Sequence, residues 1–388
     1  MVAVIGRASR SVALVVVAAT LLGAAIVGAR VLTRSESCCR GQHPYISLYN
    51  RPLSRVDRVL AEGDGQAFGA IAQDPLLDRP QVIGSRAEYA YRAQRPLWAY
   101  LAWAGSLGQA GLTGWVLAVL TVLSCGAASM LFGLLLRQRG VSVWWSLLVP
   151  VIGLQVLTEF TSELAAVALL CAGILLWSRE RRGAAVVMLS LAALTRESML
   201  VGVVGLGVWE LHRSAGTGPR LRRASLLAWP FGVYGAWIAI LTIRLGVSPF
   251  ARSGGRLGLP GAGLVATLAG GSSVATAVSV ASLGVGVVVA AIAVARRDVL
   301  TWVSVGFLIF ATTLGQEVWG TQSGITRSLL PLYLLGAAAV LGGLRARQLS
   351  RIGPTSTTLT AHKRHVQPDS DPWVEREPVT AGNPASRH

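Results

Sequence analysis

Charge is scarce in this chain, and what there is of it is lopsided. Only 14% of the 388 residues are Asp, Glu, Lys or Arg, against 53% hydrophobic. That balance excludes an ordinary soluble domain and points to a polytopic membrane protein. Of the 35 basic residues only Lys363 is lysine, so the formal net charge of +17 belongs to arginine. Five histidines and four cysteines are present. They form no His cluster and no Cys-x-x-Cys pair, so no spacing indicates a structural metal site. A glycine-rich nucleotide-binding turn after a strand is missing as well. No segment recurs at a fixed period.

What is abundant is long apolar sequence. Residues 11–33 form a first run, "SVALVVVAATLLGAAIVGARVLT", preceded by Arg7 and Arg10. Its length, and the lack of a small-x-small site followed by a break, read as an uncleaved anchor rather than a signal peptide. Further runs lie near 112–136, 141–157, 163–178, 224–244, 273–295, 299–315 and 328–344. Most approach the roughly 20 residues that a span requires. Residues 183–211 differ, because Thr195-Arg196-Glu197-Ser198 interrupts them. Each half holds about 13–14 residues, or about 20 Å at about 1.5 Å per residue, short of the roughly 30 Å hydrocarbon core.

The arginines fix the orientation. Clusters fall at Arg137/Arg139, Arg179/Arg181/Arg182, Arg213 through Arg223, Arg296/Arg297 and Arg345/Arg347/Arg351. Placing all of them in the cytoplasm leaves every alternate connection outside. Both flanks of 183–211 are basic, so that segment enters and returns as a hairpin with Arg196-Glu197 at its tip. The expected fold is therefore all-α, with about ten transmembrane or membrane-inserted helices in the plasma membrane and both termini cytoplasmic. The outer side carries a large loop at 34–96, a Gly-rich loop near 245–272 and short connections at 158–162, 195–198 and 316–327. The integral membrane domain covers 1–349, and the polar, proline-containing residues 350–388 read as a disordered cytoplasmic tail. Basic charge that sets topology needs no nucleic acid, so none is expected as a partner. Cys125 and Cys171 fall inside spans as packing residues. Cys38 and Cys39 fall outside, where a bridge to a partner chain and a strained vicinal disulfide are both open.

Polar residues gather on the expected outer side. Glu159 and Glu163 share one face if the turn between them is helical. Arg196 and Glu197 lie below the membrane surface because the hairpin is short, and ionisable groups there need partners or a wet cavity. Glu317 and Trp319 follow the ninth run, and Arg327 opens the tenth in "GITRSLLPLYLL". Singly, each reads as a helix-end anchor that snorkels to water. As a group they suggest an outward polar cavity.

The first loop adds to it. In "GDGQAFGAIAQDP", residues 63–75, Gly63 and Gly65 admit unusual backbone angles around Asp64. That would present the carboxylate at the lip of a short helix, "QAFGAIAQ", ended by Asp74-Pro75. Simple Asp-Gly turn chemistry is the alternative. Residues 88–109, "EYAYRAQRPLWAYLAWAGSLGQ", carry interfacial Trp98, Tyr100 and Trp103 beside Arg92 and Arg95, which suit a phosphate at the headgroup level. Plain anchoring to lipid headgroups is the simpler reading of that helix.

Taken in order, "DGQAFGAIAQDP", "AEYAYRAQRPLWAYLAW", "LAALTRESMLV" at 191–201 and "GITRSLLPLYLL" resemble segments of bacterial GT-C-type membrane glycosyltransferases. The resemblance runs from the first helix to about residue 345. Each motif is short, and their order and topology are more specific than any one of them. Ala67-Phe68-Gly69 stands where that family's pattern is usually more aromatic. The resemblance implies transfer of a sugar from a polyprenyl-phosphate donor to a glycan, lipid or protein acceptor of the cell envelope. It makes Asp64 the catalytic base or acceptor-positioning group. Gln66, Asp74, Arg92, Arg95, Glu163, Arg196, Glu197 and Arg327 are then substrate-binding candidates. A divalent metal ion held by Asp64 with Asp74 or Glu163 stays open, since no ligand spacing requires one. The rival readings are a transporter of a lipid-linked or polar substrate and a non-catalytic membrane scaffold.

Overall fold

The first apolar run forms one long helix, α1 (Val2–Thr33). In the computed structural model, residues 2–33, 54–79, 83, 85–213, 217–252, 257–270, 273–295 and 298–351 are described. Cys38, Cys39 and nearly all of the expected tail lie outside them. The described part of the first loop folds into three short helices, α2 (Arg55–Glu62), α3 (Gly65–Ala72) and α4 (Arg86–Ala93), and α5 (Pro96–Ser106) follows it. Local chemistry sets their starts. Ser54 and Asp57 form a reciprocal capping box on α2, which satisfies donors that the first turn leaves open. Ser85 caps α4 through the Glu88 amide. Pro96 opens α5 and keeps Arg95 out of the helical region, at φ −111° and ψ 67°. The segment 88–109 is thus two helices meeting at Arg95 rather than one interfacial helix.

α6 (Ala110–Gln138) is again a single long helix. The next run, 141–157, is not. It divides into a 3₁₀ turn at Val143–Leu147, α7 (Leu148–Ile152) and α8 (Leu154–Glu159). Pro150 lacks an amide proton inside α7, and Gly153 marks the joint where α8 begins. The hairpin follows as expected. After α9 (Glu163–Ser178), α10 (Arg182–Thr195) and α11 (Met199–Arg213) flank Arg196, Glu197 and Ser198. The remaining helices are α12 (Thr217–Leu226), α13 (Trp229–Leu245), α14 (Ala262–Gly270), α15 (Ser273–Ala295), α16 (Val299–Thr312), α17 (Gln316–Trp319), α18 (Gln322–Ser328) and α19 (Leu330–Arg351). The loop at 245–272 is therefore partly helical.

Among the described residues, Arg10–Thr33, Ala110–Gln138 and Leu221–Leu245 are long and apolar enough to cross a membrane. α18 and α19 together make a fourth such segment, bent by 53° between them. Val143–Ile152, Glu163–Ser178, Arg182–Thr195, Thr276–Val289 and Val299–Thr312 are apolar but shorter. Close packing among the helices relies on small residues, as in membrane bundles generally. Gly173 of α9 faces Leu189 of α10, and a Cβ on Gly205 of α11 would sit 2.7 Å from the Val303 Cα of α16. Cys125 and Cys171 are buried free thiols within this packing.

Candidate functional site

Asp64 sits at the N-terminus of α3 but does not cap it; its side chain is left for other partners. The flanking glycines act through space and not, as the sequence suggested, through unusual angles. Gly63 is extended, at φ −114° and ψ −178°, which any residue adopts. A Cβ on Gly63 would come within 2.9 Å of the Glu159 side chain, and one on Gly65 would overlap the Glu159 carbonyl oxygen. The bare backbone lets the α2–α3 turn lie directly on the end of α8.

That contact starts a lattice of ion pairs. One Asp64 oxygen accepts from Arg92 at 2.7 Å and the other pairs with Arg327 at 2.9 Å. Glu88 steadies Arg92 at 2.8 Å, one turn away on α4. Arg327 also donates to Glu159 at 2.7 Å and to Glu163 at 2.8 Å. Arg196 reaches Glu163 from the hairpin tip. Arg95 grips Glu197 through two nitrogens, at 2.7 and 2.6 Å. The turn between Glu159 and Glu163 is not helical, since Phe160 adopts a left-handed backbone at φ 55°. The two carboxylates nevertheless meet on Arg327.

Asp64, Gln66, Arg92, Arg95, Arg196 and Arg327 line one polar cavity of about 360 Å³, with Glu159 and the α17–α18 turn completing its wall. Glu163 lies beneath it, fully buried. Glu197 lines a second cavity of about 200 Å³, walled by Phe250, Leu257, Phe310 and Leu314. Tyr91, Arg95 and Arg196 face both cavities. Asp74 is not brought to either. Its carboxylate accepts from the amides of Asp78 and Arg79, at 3.0 and 2.8 Å, and from the Tyr89 hydroxyl at 2.8 Å. It closes the loop that follows α3.

The charges set distinct proton affinities. Burial alone would raise Asp64, but Arg327 and Arg92, with Arg95 behind them, hold it far below the ordinary carboxylate range. Burial acts likewise on Glu197, and Arg95 overrides it to hold that group down at about 2. At Glu159 burial prevails over Arg327 and Gln155, and its pKa is raised.

Sequence reasoning passed over Tyr91 and Gln155. Tyr91 lies 3.4 Å from Arg95 through its hydroxyl, with the Arg92 and Arg95 guanidiniums 5.7 and 5.6 Å from its ring. Gln155 donates to Glu159. Both stand four residues from their partners, a spacing readable on a helix. Among the described residues no group of three or more His, Cys, Asp or Glu is placed to hold a metal ion. Asp64, Glu159 and Glu163 converge on the Arg327 guanidinium instead. No protein family, curated protein or solved structure matches the chain.

Proposed function

We propose that the chain is a membrane glycosyltransferase that moves a sugar from a polyprenyl-phosphate donor to an acceptor hydroxyl on the outer face of the plasma membrane. About ten membrane-inserted helices and cytoplasmic termini belong to this reading. The observation that carries it is the position of Asp64, held between Arg92 and Arg327 at a polar cavity whose neighbour is apolar. A lipid-borne sugar phosphate has the matching character, with charge and hydroxyls at one end and hydrocarbon at the other.

Clamped by two guanidiniums, Asp64 is a weak proton acceptor. A donor phosphate would compete for Arg92 and Arg327, and each partner that Asp64 loses raises its proton affinity. Donor binding would thus prepare the base. The acceptor oxygen then attacks the anomeric carbon while Asp64 takes its proton. The bond from that carbon to the phosphate oxygen breaks, and the arginines stabilise the departing phosphate. Gln66 offers a buried side-chain oxygen, without a hydrogen-bond partner among the described residues, to a sugar hydroxyl.

The test is transfer by washed membranes supplied with a radiolabelled polyprenyl-phosphate sugar. Asp64→Asn keeps the side chain's size and should lower transfer by about 10²–10⁴-fold while the purified protein stays folded, with an unfolding temperature lowered by the loss of its two ion pairs. Full transfer by the variant at normal expression would remove Asp64 from the chemistry.

A further inference from the structure

Away from the charged lattice, a long apolar groove of about 760 Å³ runs between α15, α19 and the α7 region. Ser282 and Tyr333 bond to each other within it. Gly284 of α15 lies open on its wall, where a Cβ would meet no heavy atom within 4 Å. Trp145 and Leu341 belong both to this groove and to a second, more polar recess of about 620 Å³. That recess carries Arg137 and Arg345. Both arginines are exposed, and neither guanidinium makes an ion pair among the described residues. Their neighbour Arg139 differs, being tied to Asp298 at 3.1 Å.

We infer that the recess and groove together bind an anionic glycerophospholipid, with its headgroup phosphate on Arg137 and Arg345 and one acyl chain along α15 and α19. Charge complementarity selects the head, because two guanidiniums without an ion pair among the described residues lie in the recess that adjoins the groove. Basic recesses between helices on the side where arginine clusters lie are suited to such headgroups. Length selects the tail. Tyr333 and Arg345 are twelve residues apart on α19, about 18 Å at about 1.5 Å per residue. One leaflet of a hydrocarbon core roughly 30 Å thick is about 15 Å deep. Trp145, about half exposed where recess and groove meet, sits where an indole favours the interface.

Binding is read without turnover, so failure here is separable from failure of the transferase reading. The full chain in detergent would be offered equimolar phosphatidylglycerol and phosphatidylcholine with identical acyl chains, and bound lipid counted by native mass spectrometry. Phosphatidylglycerol should predominate. Each arginine is expected to contribute about fivefold, so R137A/R345A should cut phosphatidylglycerol binding about 25-fold and lower phosphatidylcholine, whose own ammonium offsets its phosphate, by much less. Gly284→Leu, whose Cβ meets open space and whose branches occupy the groove, should lower both. Equal binding of the two lipids by the unaltered chain would overturn the proposal, as would an unchanged preference in R137A/R345A. Displacement of phosphatidylglycerol by equimolar polyprenyl phosphate would give the groove to the sugar donor and overturn it equally.

Discussion

A guanidinium presents five N–H donors in one rigid plane, and Arg327 spends them on three carboxylates, one from the α2–α3 turn and two from the α8–α9 turn. An ammonium has the charge without that fork. Arg327→Ala should therefore destabilise the folded protein by about 3–5 kcal/mol, the usual cost of leaving a buried partner uncompensated. Arg327→Lys should recover only part of it, as thermal unfolding in detergent would record. Glu197 makes a pH-dependent contribution of a different kind. Its folded pKa of about 2 lies below the ordinary 4.5. The stabilisation is therefore complete above about pH 4.5 and is lost as the pH falls toward 2. Glu197→Gln should flatten the unfolding profile across that window while leaving the profile's shape above it unchanged.

At the scale of elements, the approach of the α2–α3 turn to α8 decides where Asp64 stands. Gly65→Ala would push a methyl group onto the Glu159 carbonyl. It should abolish most of the proposed transfer, whereas Gly63→Ala meets the Glu159 Cβ and Cγ at 2.9 Å, less close than the carbonyl at Gly65, and should lower transfer by less. Comparing the two in the membrane transfer assay, with unfolding temperatures measured in parallel, separates displacement of the site from general loss of structure. The need for these glycines was legible in the sequence; its cause was not, because the obstructing atoms belong to a helix far along the chain. The hairpin 182–213 could be read from two basic flanks and a charged interruption. That Arg196 needs a partner followed from the cost of a lone buried guanidinium, and Glu163 supplies it. Pro150 and Gly153 were visible breakers, yet a uniform apolar run masked them and the segment was read as one span. The convergence of Asp64, Glu159 and Glu163 on Arg327 left no local trace, since periodicity reports only neighbours on one element. Asp74 misled for the same reason: nothing in its spacing told a loop-closing carboxylate from a ligand-binding one.

For the whole molecule the arginine clusters supply a definite expectation of orientation. In a cysteine-free background, Asp78→Cys should react with a membrane-impermeant maleimide added to intact cells. Arg181→Cys should react only after the membrane is permeabilised. Labelling of Arg181→Cys from outside would invert the proposed topology and move the polar cavity to the cytoplasmic side.

Arg327 has a further consequence for how the chain is made. Synthesis runs from the N-terminus at about 5–20 residues per second. Asp64 gains Arg92 after 28 residues, and Glu163 gains Arg196 after 33. Arg327 follows Glu159 by 168 residues, so roughly 8–34 s pass at that rate before it is made. Until then Glu159 has only the uncharged Gln155 beside it. A chain cut short before α18 would hold every carboxylate of the site and lack the residue that gathers them, so the cavity can assemble only once α18 has been made.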